Sequence, residues 1–351
     1  MKKIHVLIVD DSSLMRQWLA RILSSDPEMA QISTAQDAYE AGAILKKVRP
    51  DVITLDVEMP GMDGLTFLKE VMASRPVPVI MVSAYTRANC QTTIQALSLG
   101  AVDFIPKPKP GDKEERDTFP NRYIEKVKET ARAKILPLTE PPSLSQRTPA
   151  APPQPLKSHL SFPNLIGIGA STGGTQALHR LFSRLPAFLP PIVIVQHMPS
   201  PFTAAFAEHL DHLSPVSVRE ARDQDRLKMG EALVVPGDRH GRVAKDRSGY
   251  CLHLSQDPLV NHHRPSVDVL FYSLAEAAAE KGLGLLLTGM GEDGARGLLA
   301  MRNQGAHTLV QDQSSSTVFG MPQAAIKFGA AREIAPLDKI PSILMKLLGS
   351  D

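Results

Sequence analysis

Short apolar runs in this 351-residue sequence repeatedly end in residues that can do chemistry. In the second half, "LIGIGA" leads into Ser171, "PIVIVQ" into His197 and "GLGLLLTGMGE" into Asp293. A hydroxyl, an imidazole and a carboxylate are the parts of acyl transfer by a serine: a nucleophile, a general base, and a group that orients the base and balances its charge. Ser171 lies in the pattern Gly169-x-Ser171-x-Gly173, a nucleophile elbow in which small neighbours allow a tight strand-to-helix turn. Backbone N–H groups at Thr172 and, in "TGMGEDG", at Met290 are the candidate donors for an oxyanion. The same stretch has other readings. Ser171 could simply cap a helix, and Gly167, Gly169 and Gly173 could line a dinucleotide loop. Against the loop, Thr172 takes the place of its third glycine, and Gln196 and His197 stand where an acidic ribose ligand is expected.

In the first half, one apolar run ends in Asp10 and Asp11 and another in Asp56. Three carboxylates on one sheet edge repel each other unless a divalent cation sits among them, and their oxygens suit magnesium. Ser83 closes a further run and Lys107 comes after the next, adding a hydroxyl and a cation. Together these groups suit capture of a phosphoryl group by an aspartate, with metal and lysine neutralising the incoming oxygens. Other candidates are less committed. His209 and His212 in "AEHLDHL", beside Glu208 and Asp211, could bind a metal or form a solvated helix face. His262 and His263 read as a polar loop at the edge of the serine site, and Met198, Met290 and Met321 as lining or packing residues.

The elements that must position these groups alternate along the chain. "IHVLIV", "AQIST", "DVITLD", "VPVIMVSA" and "AVDFIPK" are strand candidates interleaved with amphipathic helices, the pattern of a parallel sheet covered on both faces. A charged helix is expected over about residues 120–136. "NLIGIGA", "PIVIVQH", "ALVVPG", "GLGLLLTGM" and "AHTLVQ" repeat the grammar in the second half, with a helix over 174–184 and an antiparallel excursion near 231–254 that holds the hairpin "GRVAKDRSGYCLHL". Between the halves, "PLTEPPSLSQRTPAAPPQPL" has no apolar periodicity and reads as a Pro-rich linker. The organisation is therefore a first domain over 1–125, a helix end and linker over 126–161, and a second domain over 162–351.

Composition narrows the function class. The net charge of +2, from 39 basic and 37 acidic residues, supplies no field for nucleic acid, and a DNA-binding output would need a short, helical, basic domain that the second half does not resemble. Two cysteines, Cys90 and Cys251, have no paired spacing, which fits a reducing compartment. No run approaches the roughly 20 apolar residues of a membrane span. The expectation is a cytoplasmic protein without membrane insertion.

"LIVDDSSLMR", "DVITLDVEMPGMDGLTFL", "VIMVSA" and "AVDFIPKP" resemble the response-regulator receiver domain. The resemblance implies a flavodoxin-like fold with Asp56 as phosphoacceptor. It implies Mg2+ held by Asp10, Asp11, Asp56 and the Glu58 backbone carbonyl, and a switch of Ser83, Phe104 and Lys107. "GIGASTGG", "VIVQHMPSPFTAAFAEHL", "HHRPSVDVLF", "LLTGMGEDGARGLLAMRNQGAHTLVQD" and "FGMPQAAI" resemble the catalytic domain of the chemotaxis protein-glutamate methylesterases. That resemblance implies a Rossmann-like serine esterase domain with Ser171, His197 and Asp293 as its triad and no cofactor for the ester reaction. Its substrates would be γ-glutamyl methyl esters on chemoreceptors, with glutamine deamidation as a second activity, a chemotaxis histidine kinase as phosphodonor, and an unphosphorylated receiver that limits access to the site. The overall expectation is α/β: two doubly wound, mostly parallel-sheet domains, the second carrying an antiparallel hairpin. The competing reading is a phosphorylation-dependent adaptor, or a related esterase in a non-flagellar chemosensory pathway.

Overall fold

The alternating apolar runs form two separate parallel sheets. The computed structural model describes residues 3–109, 111–135 and 164–349, and the chain divides into two compact units, Met1–Leu138 and Thr139–Asp351. The first contains β1 (Ile4–Val9), α1 (Ser13–Ser24), β2 (Met29–Ala35), α2 (Ala38–Lys47), β3 (Val52–Asp56), α3 (Gly64–Ser74), β4 (Val79–Ser83), α4 (Arg87–Ser98), β5 (Asp103–Pro106) and α5 (Lys113–Ala131). All strand pairs are parallel, in the order β2-β1-β3-β4-β5. Each helix begins where a side chain can accept a free backbone N–H three residues on: Ser12, Asp37, Asp63, Thr86 and Asp112. With Asp112 as its cap, α5 starts earlier than the expected residue 120, and Pro120 is carried inside it. Phe119 and Tyr123 of α5 are fully buried and stack in series with Trp18 of α1, with ring centroids 5.0 and 5.6 Å apart. The Tyr123 hydroxyl donates to Thr54 Oγ1 at 3.0 Å, tying this helix to the strand that ends in Asp56.

The second unit contains β6 (Leu165–Ala170), α6 (Gly174–Phe182), β7 (Ile192–Gln196), α7 (Phe202–Leu213), β8 (Ser217–Glu220), β9 (Asp225–Arg226), β10 (Glu231–Val234), β11 (His240–Asp246), β12 (Gly249–Ser255), α8 (Val267–Ala278), β13 (Gly282–Leu286), α9 (Ala295–Asn303), β14 (His307–Gln311), α10 (Met321–Lys327), β15 (Glu333–Ala335) and α11 (Ile340–Leu347). Seven strands pair in parallel in the order β15-β14-β13-β6-β7-β10-β8, and β11, β12 and β9 make a small antiparallel sheet. The antiparallel sheet thus takes in Asp225–Arg226, ahead of the expected excursion, and resumes only at His240, while the run at 231–234 joins the main sheet. Ala232, Leu233 and Val234 are all buried, so β10 satisfies its apolar run inside the main sheet between β7 and β8. The Pro-rich stretch over 137–156 lies outside the described residues.

The glycines of "LIGIGA" serve packing. A Cβ on Gly169 would lie 2.2 Å from Val267 Cγ1, because α8 rests directly on β6. The strand is central and buried, and small residues let the helix approach.

Candidate active site and phosphoacceptor pocket

In the first unit, Asp10, Asp11 and Asp56 bring carboxylate oxygens within 4.8 Å of one another at the C-terminal edge of the sheet. Lys107 Nζ lies 2.7 Å from Asp56 Oδ2 and 2.9 Å from Asp10 Oδ2. Burial pushes the Asp56 carboxyl up to about 6; the Lys107 ammonium opposes that shift and the Asp10 charge adds to it. Burial disfavours the charged Lys107 too, but the two carboxylates outweigh it and hold the ammonium above its ordinary range. Three hard oxygen donors facing one lysine are a donor set that fits Mg2+. The Glu58 side chain is exposed and outside this cluster, which leaves only its backbone carbonyl for a ligand role. Ser83 is buried, and its Oγ accepts a hydrogen bond from Thr93 Oγ1 of α4 at 2.8 Å. Thr93 escapes notice in the sequence, because nothing there tells that this turn of α4 faces β4. Phe104 is buried in β5.

In the second unit, β6 and β7 pair Ala170 with Gln196, so Ser171 and His197 leave adjacent strands side by side. The His197 N–H donates to the Ala170 carbonyl at 3.1 Å. Asp293 arrives differently. It lies seven residues beyond the end of β13, in the turn before α9, and its carboxylate points at the N-terminus of α8. There it accepts from the Val267 N–H at 2.6 Å, the Ser266 hydroxyl at 2.8 Å, the Asn261 amide at 2.7 Å and the Asp268 N–H at 3.3 Å, and meets His197 Nε2 at 2.8 Å. Burial alone would raise the Asp293 carboxyl; the hydrogen bond and charge of His197, with Asn261 and Ser266, overcome it and hold the group well below the usual carboxylate range. An ionised partner requires the proton on Nε2, which leaves the lone pair of the neutral ring on Nδ1. Nδ1 is buried and has no hydrogen-bond partner among the described residues.

Both candidate oxyanion amides belong to peptide groups whose carbonyls are held from behind. The Ser171 carbonyl accepts from the Gly174 N–H at 2.7 Å and from Gln196 Nε2 at 2.9 Å. The Gly289 carbonyl accepts from the Gly320 and Met321 N–H groups at 3.0 and 2.8 Å. In a trans peptide the N–H points opposite to the carbonyl, so the Thr172 and Met290 N–H groups are aimed by these anchors. Gly173 has φ +76, and a Cβ there would lie 2.4 Å from Thr317 Cβ. The turn after Ser171 therefore needs glycine twice over, for handedness and for space. Met290 is 43% exposed at the rim, whereas Met198 and Met321 are packed inside. His263 reaches the site, as its loop position suggests, by stacking on His197. His209 faces His179, with ring centroids 5.5 Å apart, and His212 Nδ1 bonds its own helix at the Glu208 carbonyl. Among the described residues they join no group of three metal-ligating side chains.

Sheet order, the carboxylate pocket of the first unit and the His–Asp pair of the second define a class: a response-regulator receiver joined to an α/β enzyme unit. Family profiles for the response regulator receiver domain and the CheB methylesterase match residues 6–115 and 166–344. The chain is 47% identical over 98% of its length to protein-glutamate methylesterase/protein-glutamine glutaminase 2 of Pseudomonas aeruginosa, covering 96% of that protein. It is 46% identical over 97% of its length to the Salmonella typhimurium protein-glutamate methylesterase/protein-glutamine glutaminase, covering 95% of it. The crystal structure of the Thermotoga maritima CheB methylesterase catalytic domain superposes with a TM-score of 0.52 at 36% identity, over 53% of this chain and 98% of that one. The chain belongs to the protein-glutamate methylesterase/protein-glutamine glutaminase family.

Proposed function

We propose that this chain hydrolyses γ-glutamyl methyl esters of chemoreceptors and deamidates receptor glutamines, with Ser171, His197 and Asp293 as its triad and phosphorylation of Asp56 as its control. The observation that carries the reading is the His197–Asp293 hydrogen bond of 2.8 Å, with the other ring nitrogen buried and unpartnered among the described residues. Ser171 Oγ attacks the ester carbonyl and gives its proton to His197 Nδ1. The negative charge that develops on the carbonyl oxygen faces the Thr172 and Met290 N–H groups; losing one such donor typically costs about 3 kcal/mol of transition-state stabilisation. The C–O bond then breaks, and methanol leaves with the proton from His197. Water repeats the attack on the acyl-serine, yielding glutamate and restoring the serine. With a glutamine side chain the leaving group is ammonia.

In the receiver, Asp10, Asp11, Asp56 and the Glu58 carbonyl would hold Mg2+, which supplies charge neutralisation to a transferring phosphoryl group. Asp56 accepts that group from a chemotaxis histidine kinase, Lys107 pairs with its oxygens, and Ser83 with Phe104 forms the switch. A cytoplasmic setting accords with the two buried, unpaired cysteines and with the absence, among the described residues, of any helix long and apolar enough to span a membrane.

The deciding assay is methanol release from methylated receptor membranes, with and without Mg2+ and a small phosphodonor. The intact chain is expected to release methanol faster when phosphorylated, Asp56→Asn to lose that gain, and Ser171→Ala to lose the activity. Equal release by Ser171→Ala and the unaltered chain would overturn the serine mechanism and favour an adaptor.

A further inference from the structure

The His197 ring is held by its Cβ–Cγ bond and by one hydrogen bond at Nε2, and a ring held at those two points can still rock about the line between them. Reaction requires its Nδ1 to stay aligned through two proton transfers in each half of the cycle. The turn Val260–His263 meets that need. Val260 and His263 form an isolated antiparallel bridge, exchanging backbone hydrogen bonds of 3.1 and 2.9 Å. Asn261 and His262 between them have φ +52 and +67, the left-handed pair that a two-residue type I′ turn demands. Asparagine suits that conformation; histidine accepts it at a cost.

The turn points two side chains at the two members of the dyad. Asn261 Nδ2 donates to Asp293 Oδ1 at 2.7 Å and to Asp268 Oδ2 at 2.8 Å. Both carboxylates are buried, 2% and 3% exposed, and a neutral amide with two N–H groups is the side chain that can bind both without adding charge. His263 lays its ring on that of His197, with centroids 3.7 Å apart and planes 12° from parallel. A flat ring against the imidazole face blocks that rocking.

Resting on the serine-hydrolase reading above, we propose that the Val260–His263 turn is a clamp for the reaction, with Asn261 positioning Asp293 and His263 positioning His197. Neither residue is assigned a bond or proton transfer in the reaction; both are positioning residues that act through the dyad. The His262 side chain bonds to neither member of the dyad, and its part is the handedness of the turn. It therefore provides a handle on the clamp that alters no group contacting the dyad.

The test uses the full chain and three readouts: kcat and KM for methanol release from methylated receptor membranes, the rate at which a fluorophosphonate modifies Ser171 as followed by mass spectrometry, and the thermal midpoint. Asn261→Ala and His263→Ala are expected to lower kcat and the labelling rate by about tenfold to a hundredfold, as misplacement of a base does, with KM within about twofold. His263→Phe, which keeps a flat ring, should recover at least half of the loss. His262→Val, which resists the left-handed conformation, should reproduce the loss, and His262→Gly, which adopts it freely, should not. Unchanged kcat and labelling in Asn261→Ala or His263→Ala, or a rise in KM with kcat retained, would overturn the clamp. Asn261→Ala and His263→Ala decide if His262→Val does not fold. Ser171→Ala separates the two levels: if it stays active the serine reading has failed, whereas a dead Ser171→Ala beside unaffected turn variants rejects the clamp only.

Discussion

Asp293 remains charged inside the protein because five hydrogen-bond donors converge on its two oxygens. Its folded carboxyl lies below the unfolded value, so ionising it stabilises the fold at neutral pH, and that contribution is lost as pH falls below about 4. Asp293→Asn keeps the shape but removes the charge that fixes the Nε2–H tautomer, and kcat for methanol release is expected to drop about 10³–10⁴-fold. Asp56 carries the opposite shift. With its carboxyl at about 6 in the metal-free protein, the buried group is largely protonated at pH 5, and the protonated form is neither a nucleophile nor a good metal ligand. Protons and Mg2+ therefore compete for Asp56, and the Mg2+ concentration that gives half the maximal initial rate of phosphorylation by a small phosphodonor should rise as the pH falls through 6. Because the folded value is raised, Asp56 stabilises the receiver below about pH 4, where both states are protonated. That contribution is lost as pH rises through 6, which thermal midpoints of the metal-free chain at pH 5 and 7 would show.

At the scale of elements, the site depends on how closely α8 lies on β6. Ser266 caps that helix and also bonds Asp293, so one helix start organises both packing and charge. Gly169→Ala inserts a methyl against Val267 and Leu286, and overpacking of this kind is expected to cost about 1–3 kcal/mol, read as a lower denaturation midpoint. The shift of α8 should also slow the enzyme, since the same helix N-terminus cradles Asp293. In the receiver, Thr93 of α4 holds the Ser83 hydroxyl at 2.8 Å. Thr93→Val removes that donor while keeping the volume, and should change the gain that phosphorylation produces in methanol release while leaving the unphosphorylated rate within about twofold.

For the whole molecule, two separate compact units predict that each folds alone. A tenfold to hundredfold activation by phosphorylation corresponds to only about 1.4–2.7 kcal/mol between a restrained and a released state. A fragment of residues 157–351 should therefore keep the esterase activity and exceed the unphosphorylated intact chain. If the fragment were no faster than that chain, inhibition by the receiver would be rejected.

The sequence by itself determined the two α/β units, the order of their strands along the chain, and the residue types at the strand ends, because buried parallel strands must be apolar while the residues just beyond their ends are free to be polar. It also placed Asp10, Asp11 and Asp56 on one edge, since strand ends in a parallel sheet share a side. Only the tertiary structure decided the rest. The run around Val234 could equally have been an excursion strand until its pairing with β7 was known. Gln196, Asn261, Ser266 and Thr93 act through partners 7 to 32 residues away, and no local pattern states which face of a strand, turn or helix meets them. The signal within reach was Asn261 beside His262 in the polar loop at the edge of the serine site, two residue types that enter the left-handed region more often than most and do so here. Which ring nitrogen of His197 faces Asp293 is likewise set by the approach of β7 to the start of α8, a long-range contact that spacing along the chain does not encode.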